Sequence, residues 1–436
     1  MKTALPFVLT LILAQTLTGR EPPGARGGAH AAELGFHAAD QEINVLAARG
    51  VALADFNGDG HPDAWFVNEG TADGEGQRLY LNSGTGVFAD SGQRFPLNGF
   101  WNGAPAVGDV DGNGAPDVVV TDTVWVNDGA GRFVAGSPMV SSDGDAPSLG
   151  QLADFDGDGD LDFAGVVKWR EWRVWLNDGR GHFLDTGTAR GSGMIGALAA
   201  GDVNADGAAD VFTAGWTMSA DQSSPNQMWL NDGRGGFTPG GAALALGEHH
   251  VHGAALGDLD ADGDLDLVLA LTTPGLAGRV YLNTGDGSFS ETDQSLGDRW
   301  AHAVCLGDMD GDGTLDVFLA CGDPKTGTPN QAWLNDGRGR FRDSGLRLGH
   351  AFSWSAALGD GNHDGRADAV VANLRLVDDT KGPPIFGGAP AEIWLSAPHL
   401  AAPGDAVGES PAAEAVEAAS VPALVTTNPL AARSSP

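Results

Sequence analysis

Positive charge is in short supply in this 436-residue chain: 24 Lys and Arg stand against 58 Asp and Glu, a formal net charge of −34. A protein that holds a phosphate backbone needs a cationic stripe, and none is present, so nucleic acid is not an expected partner. Cysteine is scarcer still. Cys305 and Cys321 are the only two, three residues before and five after one acidic loop. Two small buried side chains are the expectation, with a disulfide between neighbouring strands as the alternative in an exported protein. Gly-x-Ser-x-Gly, His-Glu-x-x-His and the P-loop are all missing, which removes the standard nucleophile, zincin and nucleotide signatures.

Long apolar runs are missing too, apart from residues 4–14. Preceded by Lys2 and followed by Gln15 and Thr16, that run is too short to span a membrane and has the layout of a secretory signal peptide. Residues 1–32 are therefore expected to be signal peptide and leader. With no later membrane span, the mature protein is expected to be exported, soluble and monomeric. Against these shortages stand 67 glycines, about twice ordinary usage, and an apolar fraction of 42%, enough for a core.

The pattern D-x-[DN]-x-[DN]-G-x-x-D occurs seven times, starting at Asp55, Asp109, Asp154, Asp202, Asp258, Asp308 and Asp360. Carboxylates at alternate positions of a tight loop converge their oxygens on one point, which suits a hard cation such as Ca²⁺, and glycine at position 6 permits the bend. These loops hold 26 of the 58 acidic residues, so much of the acidity is a metal-site signature that bound dications would offset. Short apolar runs flank each loop. Position 12 is Phe66, Val120, Gly165, Thr213, Leu269, Leu319 or Val371 instead of the glutamate of an EF-hand. The loops therefore join strands, not helices.

Separations of 54, 45, 48, 56, 50 and 52 residues fall in the range of propeller blades and solenoid repeats. After each of the first six loops comes an aromatic, an aliphatic, Asn, a small or acidic residue and Gly-x-Gly-x-Phe: Tyr80 to Phe88, Trp125 to Phe133, Trp175 to Phe183, Trp229 to Phe237, Tyr281 to Phe289 and Trp333 to Phe341. Asn and Gly accept positive φ, so this reads as a tight hairpin. Two hairpins per repeat predict an all-β chain of seven four-stranded antiparallel blades, a β-propeller. The seventh repeat stops at Ile393-Trp394-Leu395-Ser396 without its Gly-x-Gly-x-Phe. Elsewhere the hairpin Phe precedes the next loop by 19 or 21 residues, and Phe36 precedes Asp55 by 19. Gly35-Phe36 is thus predicted to supply the missing strand and close the ring, leaving no open edge. The propeller is assigned to residues 33–396. Residues 397–436, rich in Ala, Pro, Ser and Glu without an aromatic, are assigned to a disordered tail.

Seven Asp-rich loops at blade spacing make the chain resemble the FG-GAP/VCBS repeat family, which includes the seven-bladed propellers of integrin α subunits and a fungal propeller lectin of the Psathyrella type. The resemblance implies the fold and up to seven Ca²⁺ ions, without fixing a ligand. The implied metal positions are Asp55, Asn57, Asp59 and Asp63; Asp109, Asp111, Asn113 and Asp117; Asp154, Asp156, Asp158 and Asp162; and Asp202, Asn204, Asp206 and Asp210. They continue with Asp258, Asp260, Asp262 and Asp266; Asp308, Asp310, Asp312 and Asp316; and Asp360, Asn362, Asp364 and Asp368. The fourth loop, with Asn204 and three carboxylates, and the seventh, with Gly361 and His363 at unusual positions, are expected to bind most weakly.

Acidic loops and tight hairpins fall on one face of such a ring. The other face carries the connection between the second and third strands, whose length varies from 8 to 26 residues between the last loop Asp and the motif aromatic; variable loops on a fixed scaffold are where specificity resides. Trp65, Trp125, Trp175, Trp229, Trp333 and Trp394 are expected in the core. Trp101, Trp169, Trp172, Trp216, Trp300 and Trp354 fall towards the variable face, where aromatic planes can stack on sugars. Six residues before the loop Asp, three successive repeats place His252, His302 and Trp354. The expected function is recognition of an extracellular glycan or protein through that face. A polysaccharide lyase or hydrolase using Glu248, His249, His250, His252 and His302 is the alternative, and a scaffold without a small ligand a third.

Overall fold

The computed structural model describes residues 34–398 except 40, 42, 44, 46, 69–75, 97–102, 192, 216–225, 245–249, 274, 299 and 379–384. Among the described residues every regular element is a strand, and no helix is long and apolar enough to cross a membrane. Runs such as Val51 to Ala54 and Val118 to Val120 are continuously buried. Such runs lack polar alternation because both faces of the strand are covered, here by the blade before and the blade after.

Each repeat is an antiparallel sheet of four strands in sequence order. In blade 1 these are Ala48–Ala54, Asp63–Asn68, Gln77–Asn82 and Phe88–Phe95. Position 9 of each acidic loop is the first residue of the second strand, as with Ala54 paired to Asp63. Blades 2 to 6 repeat the plan, with inner strands Ala106–Gly108, Pro147–Ala153, Ile195–Gly201, Val251–Gly257 and Ala301–Gly307.

Blade 7 draws on both ends of the chain. Phe352–Gly359, Asp368–Asp378 and Glu392–Pro398 are joined by Leu34–Ala38 as the outer strand, with Phe36 opposite Ser396. Ile385–Gly388 adds a further antiparallel partner to the long second strand. The N-terminal strand is equivalent to the other outer strands in more than position. Five residues beyond the hairpin Phe, Gln93 and Gln294 each clamp the next blade, accepting the amide of Phe133 or Phe341 and donating to the carbonyl of Gly131 or Gly339. Gln41, five residues beyond Phe36, accepts the Phe88 amide and donates to the Phe88 carbonyl of blade 1.

The core lies between blades. Phe66, Tyr80 and Phe88 of blade 1 pack with Val370, Ile393 and Leu395 of blade 7, while Trp65 and Phe95 meet Trp125 and Phe133 of blade 2. Trp125 and Trp175 are buried and Trp229, Trp333 and Trp394 half-buried, all within these clusters. Cys305 and Cys321 are separate buried thiols: Cys305 lies opposite Phe318, and Cys321 opposite Ala301.

Candidate metal loops and channel mouth

In each acidic loop the carboxylate at position 1 organises the backbone. Asp55 accepts the Gly58 amide at 2.8 Å on one oxygen and the Gly60 amide at 2.8 Å on the other, and Asp154 does the same for Gly157 and Gly159. The carboxylate at position 9 ties loop to hairpin. Asp63 accepts the Phe56 amide at 3.0 Å and the Asn82 amide at 2.8 Å, and Asp316 accepts those of Met309 and Asn335. Burial is the main cause that pushes these acids up from 3.8, to about 7 for Asp63 and Asp162 and to about 8 for Asp316, with the accepted amides pulling the other way.

The hairpin asparagine serves a different purpose from the one its sequence context suggests. Positive φ belongs to the glycines, such as Gly84 and Gly86, and to none of the described asparagines. Instead, Asn127 Nδ2 donates to the carbonyls of Pro116 in its own loop and Phe56 in the previous blade, at 3.0 and 2.8 Å. Asn82, Asn177, Asn231, Asn283 and Asn335 make the same pair of bonds. Blade 7 has Ser396 there, whose hydroxyl bonds Asp368, and the Ala367 amide reaches the Asp308 carbonyl of blade 6.

Metal-holding geometry differs among the loops. Three carboxylates approach within 4.8 Å of one another in Asp109, Asp111 and Asp117; Asp154, Asp156 and Asp162; Asp258, Asp260 and Asp262; and Asp308, Asp310 and Asp316. All four loops have Asp at position 3, whereas loops 1, 4 and 7 have Asn57, Asn204 and Asn362. Asp258 Oδ1 and Asp260 Oδ1 are buried without a hydrogen-bond partner. Converging carboxylate oxygens, some with no proton donor, fit a hard dication.

On the opposite face a different rule governs which side chains meet. In six blades the inner strand carries a register shift, and the extra residue lies six before the loop Asp: Arg49, Ser148, Gly196, His252, His302 and Trp354. A bulge frees one residue from the ladder and re-aims its side chain. Four consecutive blades thereby line up a polar-aromatic row. His252 and His302 meet at 5.2 Å between centroids, Trp354 stacks on His302 at 4.9 Å and 19°, and Arg49 lies 4.9 Å over Trp354. Arg49 shares the offset of the histidines, and that offset was the signal by which sequence reading could have found it.

The row borders a central cavity of about 560 Å³ to which all seven blades contribute, chiefly Ala, Gly, Val and Leu. Trp169 borders it too, and it is backbone-constrained: Lys168 at φ 52 and Trp169 at φ 59 turn the chain between the second and third strands of blade 3. A bulky residue with positive φ is an outlier that its surroundings must hold in place. His302 Nε2 bonds the Gly322 carbonyl at 3.1 Å. Burial holds His302 down at about 4, and burial together with the neighbouring His302 and His250 holds His252 well below 6.5. Both rings are therefore neutral at neutral pH.

Not every expected residue joins the site. Trp172 is fully buried, edge-on to Trp229 and Phe237 with the Arg190 guanidinium over its ring, so it packs blade 3 against blade 4 and presents no face to a ligand. Trp300 is half-buried outside the cavity lining, its carbonyl accepting the Gly322 amide. His250 sits beside the row, bonded through its backbone to Thr272 and Thr273. Trp101, Trp216, Glu248 and His249 lie outside the described residues.

The FG-GAP-like repeat pattern matches residues 55–120, 154–213, 215–269 and 258–319, together just over half of the chain. No curated protein matches the sequence. Among solved structures, the crystal structure of BBS1N in complex with ARL6DN, soaked with mercury, is similar at a TM-score of 0.51 and 10% identity, over 83% of this chain and 96% of that one. The same complex soaked with lead gives 0.47 at 10% identity, over 81% and 93%. At such identity the likeness is one of fold alone. With seven blades in a ring, an acidic loop in each and the repeat pattern matched over most of them, the chain belongs to the FG-GAP-like repeat family.

Proposed function

We propose that this protein is an exported, calcium-loaded recognition propeller that binds an extracellular ligand, glycan or protein, at the channel mouth on the face away from the acidic loops. The carrying observation is the row of bulge residues, Arg49, Trp354, His302 and His252, at the edge of a cavity that Trp169 lines from blade 3. Aromatic planes supply apolar stacking surface, and imidazole supplies directed polar contacts, the usual make-up of a binding site. The described lining holds no acid pair of the kind hydrolysis uses, and its cation, Arg49, is buried against Trp354, so half-buried Trp354, Trp169 and His252 are the groups that would meet the ligand. A propeller of the same fold, BBS1N, crystallised with the protein ARL6DN, so a protein ligand is within the reach of the scaffold.

Ca²⁺ would be held by positions 1, 3, 5 and 9 of the loops, most firmly where position 3 is Asp111, Asp156, Asp260 or Asp310. Its role would be to neutralise carboxylates that otherwise repel and to fasten the first two strands of each blade. A glycan array and a polysaccharide depolymerisation assay on one preparation test the reading. Binding that Trp354→Ala abolishes without loss of folding is expected, and product formation would overturn it.

A further inference from the structure

We propose that His61 and His363 form a metal site of a second kind, a two-imidazole clamp for a divalent transition ion such as Zn²⁺, Ni²⁺ or Cu²⁺, at the junction between the last blade and the first. The repeat geometry places them together. Position 7 of an acidic loop rests on the first hairpin glycine of its own blade: a Cβ on Gly129 would lie 3.7 Å from that of Ala115, and one on Gly84 only 2.3 Å from His61 Cε1. Position 4 of the preceding loop borders the same hairpin, as Gly58 borders the Gly129 carbonyl and Gly157 that of Gly233. Position 7 of one blade is thus set beside position 4 of the blade before. Histidine occupies both at the junction of blades 7 and 1 alone, since position 7 elsewhere is Ala, Asp, Thr or Arg.

The two rings meet with centroids 4.3 Å apart at 61°. His61 Nδ1 is buried without a hydrogen-bond partner, while His363 is exposed to solvent, so the pair combines a nitrogen in need of a partner with an open approach. His363 also holds φ 62 where four other loops have Gly and two have Ala, an imidazole kept against the preference of its backbone. Imidazole nitrogen favours Zn²⁺, Ni²⁺ and Cu²⁺, whereas the all-oxygen loops favour Ca²⁺, so the two kinds of site should load independently. Joining residues 61 and 363, the ion would fasten the first blade to the last, and by binding only the closed ring it would stabilise that state.

The test is titration of Ni²⁺ and Cu²⁺ into the full chain held in saturating Ca²⁺, comparing the parent with His61→Gln and His363→Gly. The glycine variant relieves the positive φ, so its folding is not at risk. The parent should bind an equivalent of metal that Ca²⁺ does not displace, with a rise in Tm and a Cu²⁺ EPR spectrum showing two coupled nitrogens. Either variant should bind at least about tenfold more weakly, the lower end of what losing even an outer-shell partner costs a metal site. No binding to the parent, displacement by Ca²⁺, or binding by either variant as tight as that of the parent would each overturn the proposal.

Discussion

Loading the acidic loops with Ca²⁺ should expel protons, chiefly from the buried carboxylates at position 9. Burial, as the largest cause, raises Asp63, Asp162, Asp210 and Asp368 to about 7, Asp117 and Asp266 to about 6, and Asp316 to about 8. Simple titration at those values leaves about three protons on the seven groups at pH 7, about six at pH 6 and about one at pH 8. A dication requires the carboxylate form, so metal binding and deprotonation are one event. Calorimetric titration of chelator-treated protein with Ca²⁺, in buffers of different ionisation enthalpy, reads the proton count directly. A heat independent of buffer at pH 7, or a release that grows with pH, would refute the reasoning. The same groups set a stability trend in metal-free protein. Their folded pKa lies above the unfolded value, so their stabilisation is complete at low pH and is lost as pH rises through 6 to 8. Buried His302 titrates the other way, its contribution fading as pH falls from about 6.5 towards 4, so the comparison belongs between pH 6.5 and 8. There, chelated protein should melt lower as pH rises, while Ca²⁺ affinity increases.

Four further outcomes are expected. Ala205→Gly and Ala261→Gly, at φ 57 and 63 in the acidic loops, should each stabilise the calcium-loaded protein by about 1 kcal/mol; denaturant midpoints that fall instead would contradict the left-handed backbone. Asn127→Ala removes the donor shared by the Phe56 and Pro116 carbonyls and should cost about 1–3 kcal/mol, and Asn127→Gly should be no better, since the residue is not there for its φ. Replacing Lys168-Trp169 by Asn-Gly suits a turn in which both residues have positive φ, so the double variant should melt higher than the parent yet lose ligand binding; retained affinity would remove Trp169 from the site. Deleting residues 34–38 takes away the outer strand of blade 7, and a truncated protein that melts like the parent would show that the ring does not depend on it.

Much of this molecule was legible because its information is local. The nine-residue acidic pattern with its flanking apolar runs marks a loop between two strands, and its recurrence counts the blades. Even the closure was readable, because Phe36 stands at the same distance from Asp55 as a hairpin Phe stands from the next loop; the structure adds that Gln41 accepts the Phe88 amide as Gln93 and Gln294 accept those of Phe133 and Phe341. The tertiary structure decided which residues meet when those units close into a ring. Arg49 and Trp354 are about 300 residues apart and touch because blades 7 and 1 are neighbours, and a bulge, which no short-range pattern announces, turns both towards the channel. Trp172 and Trp169 lie three residues apart with opposite fates, one buried between blades and the other at the cavity edge, because Trp169 stands in the turn itself whereas Trp172 already belongs to the third strand. The hairpin asparagine was visible as a repeated residue, but its reason was not, since the carbonyl it bonds belongs to the previous blade. Sequence alone determined the repeating unit and its clusters of carboxylates; the contacts between units, and with them the candidate ligand site, came into being when the ring closed.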